Sequence, residues 1–267
     1  LADEGAPGFI GLASQSGSFV TQMFDYLTGL GLGFSTALSV GNEANLDLVD
    51  CMEYLGACPH TKVLALYIED IKRGEVFLKT ARSIVPHKPI VAFYVGGSET
   101  GRRASLSHTG AMSGPDRLYD GAFRQSGIIR ARTFTELIDF CWILGRLPRT
   151  RGHQVVIQTH SGGPGAAAAD ACGRAGLELA ALSKETVEKL GPFVPHTASI
   201  HNPVDLTFSK NPLDFFTKIP KVLLEDKNAH MLLMYCFTPS QNIARALEFM
   251  GVPKGETAEQ SGKIIHG

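Results

Sequence analysis

Apolar and polar positions alternate along this chain in blocks. A short aliphatic run gives way to a turn rich in small residues, and an apolar stripe at helical spacing follows. Phe9–Ala13 is the first run and ends in Ser14-Gln15-Ser16-Gly17. From Ser18 to Leu30 the apolar residues Phe19, Val20, Met23, Phe24, Leu27 and Leu30 fall on one helical face. The same alternation predicts strands at Phe34–Val40, Lys62–Ile68, Pro89–Val95 and Ile128–Ala131. Helices are predicted over Leu46–Leu55, Glu75–Val85, Asp116–Gln125 and Phe134–Leu147. Strands that are apolar almost throughout, alternating with helices, predict an α/β fold whose parallel sheet is covered on both faces.

Pro148-Arg149-Thr150-Arg151-Gly152 is basic and poor in apolar residues, and reads as a linker. The pattern then restarts with a strand at Gln154–Thr159, the turn Ser161-Gly162-Gly163-Pro164-Gly165 and an alanine-rich helix to about Ala175. Pro164 suits a first helical turn. Beyond it we expect a strand at Leu177–Leu182, a helix at Lys184–Leu190 and a turn through His201–Leu206. A helix at Leu213–Leu224, a strand at Met231–Phe237 and a helix at Asn242–Met250 come next, and Lys263–His266 could open another strand. The expected domains are therefore residues 1–148 and 152–267, the second cut short at its C-terminus. Leu1 in place of a methionine reads as a fragment or a processed product.

With 267 residues the chain can bury two cores. A net charge of −1 and 19% charged residues give no electrostatic reason to expect nucleic acid or a membrane surface as a partner. No apolar run is long enough to span a bilayer, and no signal-peptide pattern opens the chain. The five cysteines (Cys51, Cys58, Cys141, Cys172 and Cys236) are scattered without CxxC spacing, as in a reduced, cytoplasmic protein. No His/Cys cluster has the spacing of a metal site, so none is expected.

Candidate chemistry gathers where strands end. A strand, a Ser/Gly turn and a helix together aim backbone N–H groups and the positive helix end at whatever lies beyond the strand. The chain has this arrangement twice, at Ser14, Ser16 and Gly17 and again at Ser161, Gly162, Gly163 and Gly165. Either turn alone is equally a helix capping itself. Ser16, Asn42, Glu69 and His108 all follow strand ends, where open α/β sheets collect ligands. His108 lies in the small-residue loop Ser105–Pro115 and could serve as a nucleophile or proton carrier. Taken by itself, a loop histidine is more readily explained by hydrogen bonds to nearby backbone.

Six segments occur in order: Gly11-Leu-Ala-Ser-Gln-Ser-Gly17, Val40-Gly-Asn-Glu-Ala44, Tyr67-Ile-Glu69, Ser107-His-Thr-Gly-Ala111, Ser161-Gly-Gly-Pro-Gly165 and Asn202-Pro-Val-Asp-Leu206. Together they resemble the NDP-forming acyl-CoA synthetases, relatives of succinyl-CoA synthetase. The resemblance implies two flavodoxin-like, succinyl-CoA synthetase-type domains with parallel sheets and helices on both faces. It implies that His108 is transiently phosphorylated, that Glu69 holds it, and that the two helix starts bind the phosphoryl group. The reaction implied is acyl-CoA, ADP and phosphate giving acid, ATP and CoA through acyl phosphate and phosphohistidine. The cofactors implied are CoA, phosphate and ADP/ATP with Mg2+. The partners implied are a CoA-binding Rossmann domain and an ATP-grasp domain or subunit, neither of which fits within this chain, with a small acyl substrate and an oligomeric assembly. Ala-Met-Ser-Gly-Pro after His108 departs mildly from the family's usual Ala-Leu-Ala-Gly. A regulatory acyl-CoA- or phosphate-binding module, as in acetyltransferase fusions, is the alternative, and a flavin-binding module a weaker one.

Overall fold

A computed structural model describes residues 8–30, 32–101, 114–195, 198–206 and 211–236. The chain forms two compact units, Leu1–Pro148 and Arg149–Gly267. His108 and the expected elements at Asn242–Met250 and Lys263–His266 lie outside the described residues.

In the first unit the strands are β1 (Ile10–Ser14), β2 (Phe34–Ser39), β3 (Val63–Ile68), β4 (Ile90–Tyr94) and β5 (Ile129–Ala131). The helices are α1 (Gly17–Gly29), α2 (Leu48–Ala57), α3 (Gly74–Ile84), α4 (Asp116–Ser126) and α5 (Phe134–Arg146). The sheet is wholly parallel in the order β2-β1-β3-β4-β5. This is the doubly wound, flavodoxin-like order, whose connections reverse direction between β1 and β3 and leave a crevice at the strands' carboxyl ends.

Side-chain alternation along the strands builds a core on each face. Ala13, Leu64, Leu66, Ile68, Ile90 and Ala92 point one way and pack on Met52 and Leu55 of α2, Phe77 of α3 and Phe123 of α4. Ile10, Leu12, Val63, Ala65 and Val91 point the other way, onto Met23 and Leu27 of α1 and Leu137, Ile138 and Cys141 of α5. Strands sandwiched in this way have no polar face, hence the continuous apolar runs.

The second unit is built on β6 (Gln154–Thr159), with α6 (Gly162–Arg174), β7 (Glu178–Leu179), α7 (Lys184–Leu190), β8 (Val204–Asp205), a 3-10 turn (Pro212–Phe215), α8 (Lys218–Leu224) and β9 (Met231–Tyr235). All three partners run parallel to β6. β9 takes one edge of β6, while β7 and β8 divide the other, β7 beside Gln154 and Val155 and β8 beside Gln158 and Thr159. Asn202 fills the interval between them. Its side chain accepts from Ile157 N at 2.9 Å and donates to Val155 O at 2.7 Å and Ala180 O at 3.0 Å.

Three expectations need correction here. The strand foreseen at Leu177–Leu182 is only Glu178–Leu179, because past the Ala180 N–H, which still donates to Val155 O, the Asn202 amide serves that edge. The turn foreseen at His201–Leu206 contains β8. The helix foreseen at Leu213–Leu224 is broken after Phe216. Pro220 lacks an N–H and tolerates only a first turn, so α8 starts anew at Lys218. Among the described residues no helix is long and apolar enough to cross a membrane.

One surface network ties α2 to the start of α3. Asp47 caps α2, accepting from Val49 N and Asp50 N, and Asp50 reciprocates by accepting from Asp47 N. Arg73, where α3 begins, donates to Asp47 Oδ2 at 2.5 Å and to Asp50 Oδ1 at 2.7 Å. The Arg73 hydrogen bonds hold the Asp47 carboxyl down at about 2. A carboxylate with a depressed folded pKa stabilises above its unfolded value and loses that contribution as pH falls through the folded one. Replacing Asp47→Ala should therefore cost roughly 0.5–2 kcal/mol at neutral pH. Urea unfolding should show the gap to wild type closing between about pH 4 and pH 2.

Candidate functional site

Ser14 ends β1 fully buried, and its hydroxyl turns onto the chain just ahead. Ser14 Oγ donates to Ser16 O at 2.8 Å and accepts from Ser16 N at 3.1 Å. Ser16 is thereby held in extended geometry as the N-cap of α1, its own hydroxyl 3.4 Å from Phe19 N. Gly17 follows, exposed, and a Cβ added there would meet nothing closer than Ser39 Oγ at 3.6 Å.

The second unit repeats this plan with a different residue. Thr159 ends β6 fully buried, donates from Oγ1 to Ser161 O at 2.9 Å and accepts from Ser161 N at 3.1 Å. Ser161 is the N-cap of α6 and makes no side-chain capping bond of its own. Gly162 and Gly163 are exposed, and the space where a Gly163 side chain would go is open. Gly165 is buried, and a Cβ there would come within 2.9 Å of Thr159 Cγ2 and 3.3 Å of Pro203 Cβ. It lets the helix lie close against the strand end. Two exposed helix starts, each clamped by a strand-end hydroxyl, can offer backbone N–H groups to an anion.

Around the first helix start the sheet gathers acids. Gln15 sits between the ends of β2 and β3, with Asn42 beyond one and Glu69 beyond the other. The Gln15 backbone N–H reaches Tyr67 O at 3.2 Å. Its side-chain Oε1 accepts from Glu69 N at 2.5 Å and Asp70 N at 3.1 Å, and its Nε2 donates to Asp70 O at 2.9 Å. Burial raises the pKa of the Tyr67 phenol, and the charge of Glu69 adds to the rise. The Tyr67 ring packs against Phe19 at 4.3 Å between centroids, and Phe93 and Phe134 complete the cluster. The rings fill one another's faces and leave no slot between Phe19 and Tyr67 for a flat cofactor.

On the other side of β3, Tyr119 OH donates to Asp70 Oδ1 at 3.2 Å, and the ring stacks on Tyr94 at 3.6 Å. Tyr94 OH donates to Gly114 O at 2.7 Å. Glu43 stands in the turn after β2 with φ of +56°, a conformation rare for a side-chain-bearing residue. Its carboxyl is buried, and Oε1 accepts from Leu48 N at 3.0 Å while Oε2 has no hydrogen-bond partner among the described residues. Burial raises its pKa; the Leu48 N–H, the Gln15 amide and Lys72 partly counter this. Lys72 Nζ, 3.7 Å from Oε2, donates instead to Asn42 O and Glu43 O.

In the second unit Asp205 ends β8 beside the glycine loop, its Oδ2 3.2 Å from where a Gly162 Cβ would sit. The His160 ring stacks on Phe215 at 3.6 Å, and burial lowers its pKa against the pull of Asp205. Within the first unit the structure brings together Ser14, Ser16, Gly17 and Glu69, and within the second Ser161, Gly162, Gly163 and Gly165. Gln15, Glu43, Thr159 and Asp205 were not anticipated as site residues. Thr159 could have been found from the hydroxyl-x-Ser spacing shared by Ser14-Gln15-Ser16 and Thr159-His160-Ser161.

The chain is similar to proteins of known activity. It is 38% identical over 252 residues to the alpha subunit of Pyrococcus furiosus ADP-forming acetate–CoA ligase II, covering 94% of this chain and 53% of that one. It is 36% identical to ADP-forming acetate–CoA ligase I of Archaeoglobus fulgidus, covering 97% of this chain and 38% of the relative. It therefore spans about half the length, or less, of these curated relatives. Among solved structures it matches the dinucleotide-forming acetyl-coenzyme A synthetase 1 of Ca. Korarchaeum cryptofilum, in complex with phosphate and ADP. The TM-score is 0.81 at 30% identity, covering 96% of this chain and 55% of that one. Residues 155–249 match the Ligase-CoA domain. Residues 7–144 match the succinyl-CoA ligase-like flavodoxin domain, and the chain belongs to that family.

Proposed function

We propose that this chain is the phosphohistidine-bearing part of an ADP-forming acyl-CoA synthetase, with His108 as the covalent carrier. The observation that carries the reading is the repeated helix start, a buried strand-end hydroxyl clamping a Ser cap that leads into an exposed glycine, once in each unit. Phosphate displaces CoA from acyl-CoA to give acyl phosphate. An imidazole nitrogen of His108 then attacks the phosphorus, and the P–O bond to the acyl carboxylate breaks, releasing the acid. ADP takes the phosphoryl group from phosphohistidine, restoring the imidazole and yielding ATP. Glu69 accepts a hydrogen bond from the second ring nitrogen and so fixes which nitrogen attacks.

Phosphohistidine concentrates about two negative charges in a small space. Each helix start offers a seat for them, with N–H groups and a dipole that favour an anion by roughly 0.3–1 kcal/mol, and up to about 2 kcal/mol when partly buried. Ser16 and Ser161 add hydroxyls, whereas Ser14 acts through Ser16, since its own hydroxyl donates within the loop. CoA, the nucleotide and its Mg2+ are assigned mainly to a CoA-binding domain and an ATP-grasp domain or subunit outside this chain, within an oligomeric assembly.

Full-length enzyme given labelled ATP should carry acid-labile phosphate that Asp- or Ser-phosphate chemistry does not explain. His108→Ala should abolish the label while leaving the circular dichroism spectrum intact, and a label that persists would remove His108 from the mechanism. Glu69→Gln should slow labelling without eliminating it.

The glycines of the second loop should separate by role. Gly163→Ala has open space, and in a helix alanine is favoured over glycine by roughly 0.5–1 kcal/mol. It should leave melting unchanged or raised yet weaken phosphoryl transfer. Gly165→Val should cost roughly 1–3 kcal/mol of stability by overpacking against Thr159 and Pro203. Thermal melts beside labelling rates test both.

A further inference from the structure

We infer that Gln15 is a positioning residue for Glu69, and that its side-chain amide sets the direction in which that acid leaves the sheet. The inference rests on the reading of Glu69 as the partner of His108. The last backbone rung between β1 and β3 in this region is Gln15 N to Tyr67 O at 3.2 Å. Beyond it the Gln15 side chain takes the place of a further peptide group. Its oxygen receives the consecutive N–H groups of Glu69 and Asp70 at 2.5 and 3.1 Å, and its nitrogen donates to Asp70 O at 2.9 Å. An acceptor and a donor on one planar group, bonded to both sides of residue 70, fix the peptide planes on which Glu69 is carried. The same residue lies between Ser14 and the Ser16 cap, so one side chain links the anion-binding turn to the acid 54 residues later.

The chemistry demands an amide. Glu43 and the acids at 69 and 70 surround this position, with Lys72 Nζ 3.7 Å from Glu43 Oε2 as the cation among them and the Tyr119 hydroxyl on Asp70 Oδ1. A neutral group that both accepts and donates joins the two loops without adding another negative charge. An ionised carboxylate of the same shape would still accept from the two N–H groups but would repel Asp70 O. A protonated one would reproduce the amide's pattern, with its O–H donating to Asp70 O.

The test uses the full-length protein, with its nucleotide-binding subunit where that is a separate chain, and radiolabelled ATP. Single-turnover rates of acid-labile labelling are measured well below the melting temperature of every variant. Gln15→Leu should slow labelling by up to about 100-fold at saturating ATP with little change in the ATP concentration for half-maximal rate, as expected for a small misplacement of a reacting group's partner. In a Glu69→Gln background the same substitution should slow it by less than roughly 2-fold, because two residues acting as one unit are not additive. Gln15→Glu should recover toward the wild-type rate as pH falls and the introduced carboxyl protonates, a dependence that a simple loss of packing would not give. Equal slowing by Gln15→Leu with and without Glu69, or a Gln15→Glu to wild-type ratio that stays flat with pH, overturns the inference while leaving His108 as the carrier. A wild-type protein that takes no acid-labile label, or a His108→Ala protein that keeps it, overturns the underlying reading and this inference with it.

Discussion

Where a parallel strand stops, its last N–H and C=O groups lose their ladder partners, and a buried group left unpaired is costly. Both units meet this constraint with side chains. Ser14 and Thr159 each use one hydroxyl to donate and accept across the following cap. Gln15 and Asn202 each use one carboxamide as a substitute peptide, Gln15 beyond the end of β1 and Asn202 in the interval between β7 and β8. These four residues fix where the helix starts and strand ends lie, and the candidate chemistry stands on those ends.

The electrostatics of the first unit's carboxyl edge follow from the same arrangement. Glu43 and Glu69 lie on either side of the α1 start, which carries no acidic residue in its first turn. In the proposed mechanism the helix end is left to the phosphoryl group and a ring nitrogen faces Glu69, while Glu43 accepts from Leu48 N. Lys72 spends its donors on the carbonyls of Asn42 and Glu43, bracing the β2 turn. In that mechanism the charge of the phosphoryl group is compensated by fixed backbone dipoles, which need no rearrangement as charge develops.

Most of the fold was legible because strands buried on both faces and helices covered on one leave distinct periods in sequence. Gln154–Thr159 and Lys184–Leu190 fall where those periods place them. What was not legible depends on partners far along the chain. β8 is two residues long and has no run to announce it; Asn202 secures the edge beside it. The break at Phe216 follows from Pro220, whose missing N–H outweighs an otherwise helical apolar stripe. The helix starts at Ser16-Gly17 and Ser161-Gly162 were legible as Ser/Gly turns between a strand and a helix. The Gln15 fork was not, because a glutamine in a turn has many uses and its partners lie 54 and 55 residues away.

Two short strands divide one edge of β6. The excursion that leaves after Leu179 and returns at Val204 is fastened to β6 at both ends, by the Ala180 N–H on Val155 O where it leaves and by the Asn202 amide where it returns. Its middle is held by the unit's core instead, with Leu190 and Val194 buried there and the Ser183 N–H on Asp226 Oδ2. Evolution is accordingly free to vary the exposed side chains of α7 but not its buried face, and the asparagine that closes the excursion tolerates no substitute with fewer hydrogen-bonding groups.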